Sequence, residues 1–153
     1  MAGATLNLAA VSGWFAKDTV GGQAWRGNGI GHYVPDDFGQ PTAFALERSG
    51  TPHARAQGQM LQGHALFARH FWSPQWRSTL AVGRDHESHA SFIVPSPDQA
   101  VTLRTVHANL IYSPLPSVAL GLEVAHGTKQ FRSELGLSDG VDTRVSLGGR
   151  FRF

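Results

Sequence analysis

The C-terminal segment, residues 141–153, alternates between apolar and polar side chains, and this pattern constrains the fold more than any other part of the chain. Its sequence is VDTRVSLGGRFRF. One set of alternate residues is mainly apolar: Val141, Thr143, Val145, Leu147, Gly149, Phe151 and Phe153. The other set is polar or small: Asp142, Arg144, Ser146, Gly148, Arg150 and Arg152. Alternation with a period of about two residues predicts a β-strand whose two faces meet different environments.

Weaker versions of the same alternation predict an all-β fold of about eight antiparallel strands. The predicted strands cover residues 5–15, 25–34, 41–48, 59–72, 75–85, 106–112, 117–128 and 141–153. Three connections are short and contain proline: residues 35–40, 73–74 and 113–116. Four are longer and polar: residues 16–24, 49–58, 86–100 and 129–140. Short turns at one end and long loops at the other are typical of an outer-membrane β-barrel, and an even strand number would place both chain ends beside the short turns.

The composition is compatible with such a barrel. Of the 153 residues, 41% are hydrophobic, as in an ordinary globular domain. No apolar run approaches the roughly 18 residues of a transmembrane helix, whereas a barrel strand needs only about 9–11 alternating residues. The net charge of +2 gives no general attraction to nucleic acid. The absence of cysteine fits a protein exposed to the periplasm.

Alternation alone does not say which face is inside, because a soluble ligand-binding β-barrel alternates as well. The position of the aromatic residues favours a membrane barrel. Several of them fall at strand ends beside the short turns, where an interfacial aromatic girdle is expected. These predicted membrane-interface residues are Trp72, Trp76, Tyr112, Phe151 and Phe153.

In a membrane barrel the polar face would line the lumen. The predicted pore-lining residues are Arg69, Arg77, His107, Asn109, Glu123, Asp142, Arg144, Arg150 and Arg152. Guanidinium groups lower the electrostatic barrier to anions, so the sequence predicts a preference for anionic solutes. Glu123 is placed where it could pair with an arginine across the sheet. These charges could equally form salt bridges that support the barrel wall.

Motifs for other functions are weak. The segment Asp85-His86-Glu87-Ser88-His89 spaces its histidines unlike the H-E-x-x-H motif, so we expect a polar loop and no metal site. The glycines of residues 27–31 lack the strand–helix context of a dinucleotide loop. No G-x-S-x-G nucleophile motif occurs. We therefore expect no catalytic residues, no enzyme activity and no cofactor.

Three segments carry a family resemblance: GNGIGHYV (27–34), ARHFWSPQWRSTLAVG (68–83) and VHANLIYSPLPSVALGLEVAHGTKQ (106–130). Together with the terminal RFRF, they resemble segments of DcaP-like trimeric outer-membrane porins. The residues that carry the resemblance are His70, Trp72, Arg77, Ser78, Asn109, Pro114, Pro116 and Glu123. His32 departs from the family pattern, in which an arginine is common at that position. The similarity runs from about Gly27 to the end of the chain.

The resemblance implies a trimeric porin of about sixteen strands for small, mainly anionic solutes, in the outer membrane of a Gram-negative bacterium. Its implied partners are outer-membrane lipid, further copies of the chain, and the barrel-assembly machinery acting on the C-terminal strand. Residues 1–10 lack a basic start and a clean apolar core, so they do not form a signal peptide. We therefore expect one porin domain over residues 1–153, truncated at its N-terminus to about half a barrel.

Two alternatives remain open. The chain could be a complete eight-stranded outer-membrane barrel with a structural or adhesive role, closed by pairing residues 5–15 with residues 141–153. It could also be a soluble ligand-binding β-barrel, with its apolar face turned inward.

Overall fold

The computed structural model describes residues 2–8, 13–30, 44–47, 55–58, 60–88, 100–131 and 139–153. These residues form β-strands, apart from turns and one short 3-10 helix, Gly13–Phe15. The strands are β1 (Ala2–Asn7), β2 (Thr19–Asn28), β3 (Phe44–Glu47), β4 (Arg55–Gly58), β5 (Met60–Phe71), β6 (Trp76–Ser88), β7 (Ala100–Leu115), β8 (Val118–Phe131) and β9 (Gly140–Phe151). The fold class is all-β, as predicted. Within this part of the chain, no helix has the length and apolar character needed to cross a membrane.

Seven strands form one open antiparallel sheet in the order β1-β2-β5-β6-β7-β8-β9. The remaining strands, β3 and β4, pair only with each other, as a separate two-stranded sheet. The predicted antiparallel all-β sheet is therefore present with seven described strands, and the prediction of about eight strands in one wall is not confirmed. The predicted strand over residues 41–48 does contain β3, but its partner is β4, which lies in a segment predicted to be a loop.

The largest corrections concern the first two elements. The strand predicted over residues 5–15 ends at Asn7, and its last residues, Gly13–Phe15, form a 3-10 helix. Leu8 continues the pairing with the start of β2, because its backbone N–H donates to the carbonyl of Asp18 at 2.9 Å. The loop predicted over residues 16–24 is partly strand, since β2 begins at Thr19. Gly21 and Gly22 hide this strand in the sequence because they interrupt its alternation.

The later strands follow the predicted pattern closely. β5, β6, β7, β8 and β9 overlap almost all of the strands predicted for their regions, with bounds that differ by one to three residues, and β7 is longer by six residues at its start and three at its end. β6 continues to Ser88, so Asp85, His86 and Glu87 lie in a strand and not in a loop as predicted. The predicted turn over residues 35–40 lies outside the described residues.

The turn between β7 and β8 shows how its prolines are accommodated. The pairing of the two strands is regular up to Tyr112 opposite Leu120, and resumes at Leu115 opposite Val118. The irregularity between these pairs contains Pro114, which has no N–H to donate to a ladder. The turn itself is at Pro116 and Ser117. The short hairpin predicted here is therefore present, with β7 extending further than expected.

The sheet has two distinct ends. Its turn end carries the β5–β6 and β7–β8 turns, and its loop end carries the β6–β7 and β8–β9 connections, residues 89–99 and 132–139. Both edge strands, β1 and β9, run from the loop end to the turn end. The sequence predicted that both chain ends lie beside the short turns. This is wrong for the first strand, because β1 begins toward the loop end, whereas β9 ends at the turn end.

Strand register assigns every side chain to one of two faces. The apolar face carries mostly Leu, Val and Ala, and the polar face carries most of the charged side chains. Exposure differs between the faces: along β7 and β8, apolar-face residues such as Val106, Leu120 and Leu122 are exposed, while their polar-face neighbours are half-buried. The side chains of the polar face thus shield one another, as on the inner side of a curled sheet.

Candidate functional site

A row of polar side chains crosses the polar face from β2 to β9. The register places them directly opposite one another in the order Thr19, Arg69, Thr79, Asn109, Glu123 and Ser146. Two hydrogen bonds tie the row together. Arg69 Nε lies 3.4 Å from Thr79 Oγ1, and the backbone N–H of Thr79 donates to Asn109 Oδ1 at 3.0 Å. These contacts join Arg69 and Asn109 through Thr79, which lies between them on the polar face.

Arg69 of this row and two neighbouring arginines border an open hollow. The hollow has a volume of about 610 Å³ and is lined by the three guanidinium-bearing residues Arg69, Arg77 and Arg150, with Glu123 as its carboxylate. Gly121 and Gly148 face each other in the same region and leave it free of side chains. The local charge is therefore mainly positive, which favours small anions.

Arg77 also reaches the turn end. Its Nη1 donates to Ser113 Oγ at 2.9 Å, which fixes the guanidinium beside the β7–β8 turn. A second hollow of about 220 Å³ lies here, bordered by Arg77, Arg150 and Arg152. Arg152 follows the last residue of β9, and its backbone N–H donates to the carbonyl of Ser117 at 2.9 Å. Three arginines from two strands and the chain end thus converge at the turn end.

The remaining predicted pore-lining residues lie closer to the loop end. His107, Asp142 and Arg144 all belong to the polar face, with Arg144 opposite Ala125 and Asp142 opposite Gly127. Among the described residues, the partner of the Glu123 carboxylate is His107, at 3.7 Å from Nδ1 to Oε1, an ion pair only when the imidazole is protonated; the sequence had indicated an arginine. Each predicted pore-lining residue therefore lies on or beside the polar face. That this face lines a pore remains a prediction.

The predicted interface aromatics gather at the turn end of the sheet. Trp76 stacks on Tyr112, with ring centroids 4.5 Å apart, and Trp72 Nε1 donates to Ser78 Oγ at 3.0 Å. Phe151 lies opposite Val118, and Trp72, Phe151 and Phe153 are among the most exposed large side chains described. Exposed aromatic rings in one band beside an apolar face match the arrangement of an aromatic girdle.

The structure also contains a buried polar contact that the sequence did not reveal. Trp25 on β2 and Asp85 on β6 are 6% and 7% exposed, and Trp25 Nε1 donates to Asp85 Oδ1 at 2.8 Å. Gly63 of β5 lies between them in the register. Trp25 also packs against Leu61 in the small apolar core. The indole can cross β5 because Gly63 has no side chain. This glycine within a strand was the one feature of the sequence that could have indicated the crossing.

A second unpredicted contact fixes the turn end of β2. Asp18 is buried, its Oδ1 accepts the N–H of Phe71 at 3.0 Å, and His70 Nδ1 lies 2.5 Å from its Oδ2. Burial raises the pKa of Asp18, but the hydrogen bonds from His70 and Phe71 outweigh it, so the pKa lies below its usual value of 3.8. The carboxylate therefore joins the start of β2 to the end of β5.

Among the described residues, no three His, Asp or Glu side chains are grouped so that they could hold a metal ion. Asp85 and His86 lie on opposite faces of β6, because neighbouring strand residues point in opposite directions. The polar face presents guanidinium groups and hydrogen-bonding side chains. Comparisons of the chain with protein-family models, curated proteins and solved structures found no match.

Proposed function

We propose that this chain forms part of the wall of an outer-membrane porin, whose polar face lines a channel for small anionic solutes. The observation that carries the proposal is the exposure of the apolar face. Leu147 is 85% exposed, Val145 65% and Leu66 55%, and many other large apolar residues on the same face are also exposed. A continuous apolar surface of this kind is characteristic of contact with lipid or with a partner.

The choice of lipid rests on how the apolar face is bordered. Exposed aromatic residues flank it at the turn end, and polar and arginine side chains flank it at the loop end. An apolar band between two such borders is the outer surface expected of a membrane barrel. A soluble ligand-binding β-barrel would instead shield its apolar side chains inside, which is the opposite of the exposure observed here.

The proposed solute class follows from the charges on the polar face. Arg69, Arg77 and Arg150 line the larger hollow, and Glu123 contributes a single carboxylate to the same lining. A channel lined in this way concentrates anions and repels cations. The hydrogen bonds of Arg69 to Thr79 and of Arg77 to Ser113 would hold two of these three guanidinium groups in place.

The open edges support a barrel larger than the described sheet. β1 and β9 run in the same direction, so direct pairing between them would be parallel. An antiparallel closure requires an odd number of additional strands between them. Lipid cannot satisfy the unpaired backbone groups of an open edge. The resemblance to DcaP-like porins provides a candidate for the complete assembly, a homotrimer of barrels with about sixteen strands each.

The proposal is tested by refolding the 153-residue chain into lipid vesicles and planar bilayers. We expect a folded form that migrates differently on a gel before and after heating. Where chains assemble into a closed barrel in the bilayer, we expect a conductance whose reversal potential in a salt gradient indicates anion selectivity. Clear cation selectivity would contradict the proposed solute class. A chain that remains water-soluble without detergent or lipid would contradict the membrane assignment itself.

A further inference from the structure

Three arginines interrupt the apolar face near its loop end. Arg84 on β6 lies directly opposite Arg104 on β7, and both side chains are exposed. Arg26 on β2 lies on the same face and is also exposed. Its level in the sheet is that of His86, two residues beyond Arg84 toward the loop end. We refer to Arg26, Arg84 and Arg104 as the outer arginine cluster. Because these residues lie on the other face from the hollows described above, the proposed channel does not use them.

The positive charge of this cluster is uncompensated within the sheet. The acidic side chains of the seven-stranded sheet all belong to the polar face: Asp85, Glu87, Glu123 and Asp142. Within the described part of the chain, neither Arg84 nor Arg104 forms an ion pair. Like charges directly opposite each other on neighbouring strands destabilise the pairing. A bound anion between the two guanidinium groups would remove that repulsion.

The surroundings of the cluster combine a polar hollow with an apolar stripe. A hollow of about 470 Å³ is bordered by Arg26 and Arg84 together with the imidazoles of His64 and His86. On the turn-end side of this hollow the apolar face begins, with Leu66, Val82 and Val106 exposed by 55%, 40% and 43%. A ligand with an anionic group and an apolar chain could therefore place the anion in the hollow and the chain on the adjoining apolar residues.

We propose that the outer arginine cluster binds the phosphate of an anionic lipid, whose acyl chains lie along Leu66, Val82 and Val106. Arginine binds phosphate oxygens through two parallel hydrogen bonds, and basic residues at a membrane surface attract anionic lipids. Free phosphate would satisfy the hollow but leave the adjoining stripe uncovered, whereas a lipid accounts for both. The inference rests on the proposed function, because it requires the apolar face to lie in a bilayer.

The test measures which lipids remain bound to the folded chain. The chain is refolded in vesicles that mix phosphatidylglycerol and phosphatidylcholine with identical acyl chains, and co-purifying lipid is identified by native mass spectrometry. We expect phosphatidylglycerol to be retained preferentially. Replacing both opposed arginines, as Arg84→Gln with Arg104→Gln, should reduce that preference about thirtyfold, since each basic residue at a membrane surface contributes about fivefold.

The matched control removes the same charge from the polar face, as Arg144→Gln with Arg150→Gln on β9. This variant should retain phosphatidylglycerol like the wild type. Equal losses in both variants would show that only net charge matters and would overturn the proposal, as would an unchanged preference in the Arg84/Arg104 variant. Inorganic phosphate at the concentration of the lipid headgroup should not displace the lipid; if it does, the acyl-chain contact is wrong.

A stability measurement covers the case in which the double variant does not fold. The single variant Arg84→Gln should unfold at a higher urea concentration than the wild type in pure phosphatidylcholine, because one of the opposed charges is gone. In phosphatidylglycerol it should unfold at a lower concentration, because the anion has lost a ligand. The same sign in both lipids would overturn the proposal. Membrane insertion is read separately by gel mobility, so an inserted chain without lipid preference refutes this inference alone.

Discussion

The indole Nε1 of Trp25 on β2 donates a 2.8 Å hydrogen bond to Oδ1 of Asp85 on β6, although β5 lies between these two strands in the sheet. The indole crosses β5 at Gly63, the residue that pairs with Trp25 on one side and with Asp85 on the other. This contact links three strands near the loop end. It also buries a carboxylate against an aromatic ring, which makes the absence of a side chain at Gly63 a structural requirement.

We predict that Gly63→Ala destabilises the sheet by about 1–3 kcal/mol, the usual range for forcing extra volume into a packed site. A Cβ at this position would lie 2.2 Å from Asp85 Oδ1 and 2.7 Å from both the Arg84 carbonyl oxygen and Trp25 Cε2. The free energy of unfolding in urea measures the effect. Gly148→Ala is the matched control, because no heavy atom lies within 4 Å of the Cβ that it would add. Equal effects of the two variants would contradict the crossing described here.

An arginine on the apolar face should be far more harmful than one on the polar face. We predict that Leu147→Arg lowers the stability of the chain folded in a bilayer by about 2–4 kcal/mol, as charged residues do at the midplane of a barrel. Ser146→Arg, one residue earlier on β9, should change it little, because Ser146 lies opposite Glu123 on the polar face. Refolding titrations in vesicles compare the two. A smaller loss for Leu147→Arg than for Ser146→Arg would refute the lipid-facing orientation.

Acid should weaken the connection between β2 and β5. The pKa of Asp18 is lowered in the folded chain, so its contribution to stability is fully present above about pH 3.8 and is lost as the pH falls through the lower folded value. The variant Asp18→Asn removes this titration. Urea unfolding in detergent, measured at several pH values, should show that the wild type loses its advantage over the variant on acidification below pH 3.8. A constant difference at all pH values would contradict this assignment.

The turn-end arginines should control ion selectivity. Replacing Arg77 and Arg150 by glutamine removes two of the guanidinium groups that border both hollows on the polar face. We predict a shift of the reversal potential toward cations in a salt gradient, because the positive potential along the polar face decreases. The double variant Arg84→Gln with Arg104→Gln is the control, since it removes the same charge from the opposite face. An identical shift in the control would mean that the channel is not lined as proposed.

The sequence allowed β6 to β9 to be predicted because each carries an alternation that local turns then pair in order. The alternation also assigned Asn109 and Glu123 to one face. The segment of β5 is ambiguous in the sequence, because apolar residues occupy both of its faces, and Arg69 was assigned to the polar face as the favoured of two orientations. β2 escaped prediction because Gly21 and Gly22 contribute no side chains to the pattern. Their places are taken by neighbours on β5, where Phe67 and Leu66 lie within 2.7 Å of the positions that a Cβ would occupy.

Contacts between distant residues could not be predicted for a different reason. Trp25 and Asp85 are 60 residues apart, and Asp18 and His70 are 52 apart, so each contact depends on the register of strands that the sequence did not identify correctly. The outer arginine cluster was missed although its members share the phase of the apolar residues Val82 and Val106. Arg84 follows Val82 by two residues, and Arg104 precedes Val106 by two.

The central claim is that β9 separates lipid on one face from water on the other, and cysteine labelling tests it most directly. The chain has no cysteine, so each single substitution reports one position. In vesicles, Val145→Cys and Leu147→Cys should be protected from a membrane-impermeant thiol reagent, whereas Arg144→Cys, Ser146→Cys and Gly148→Cys should react. A reversed pattern, or equal reactivity at all five positions, would contradict the account.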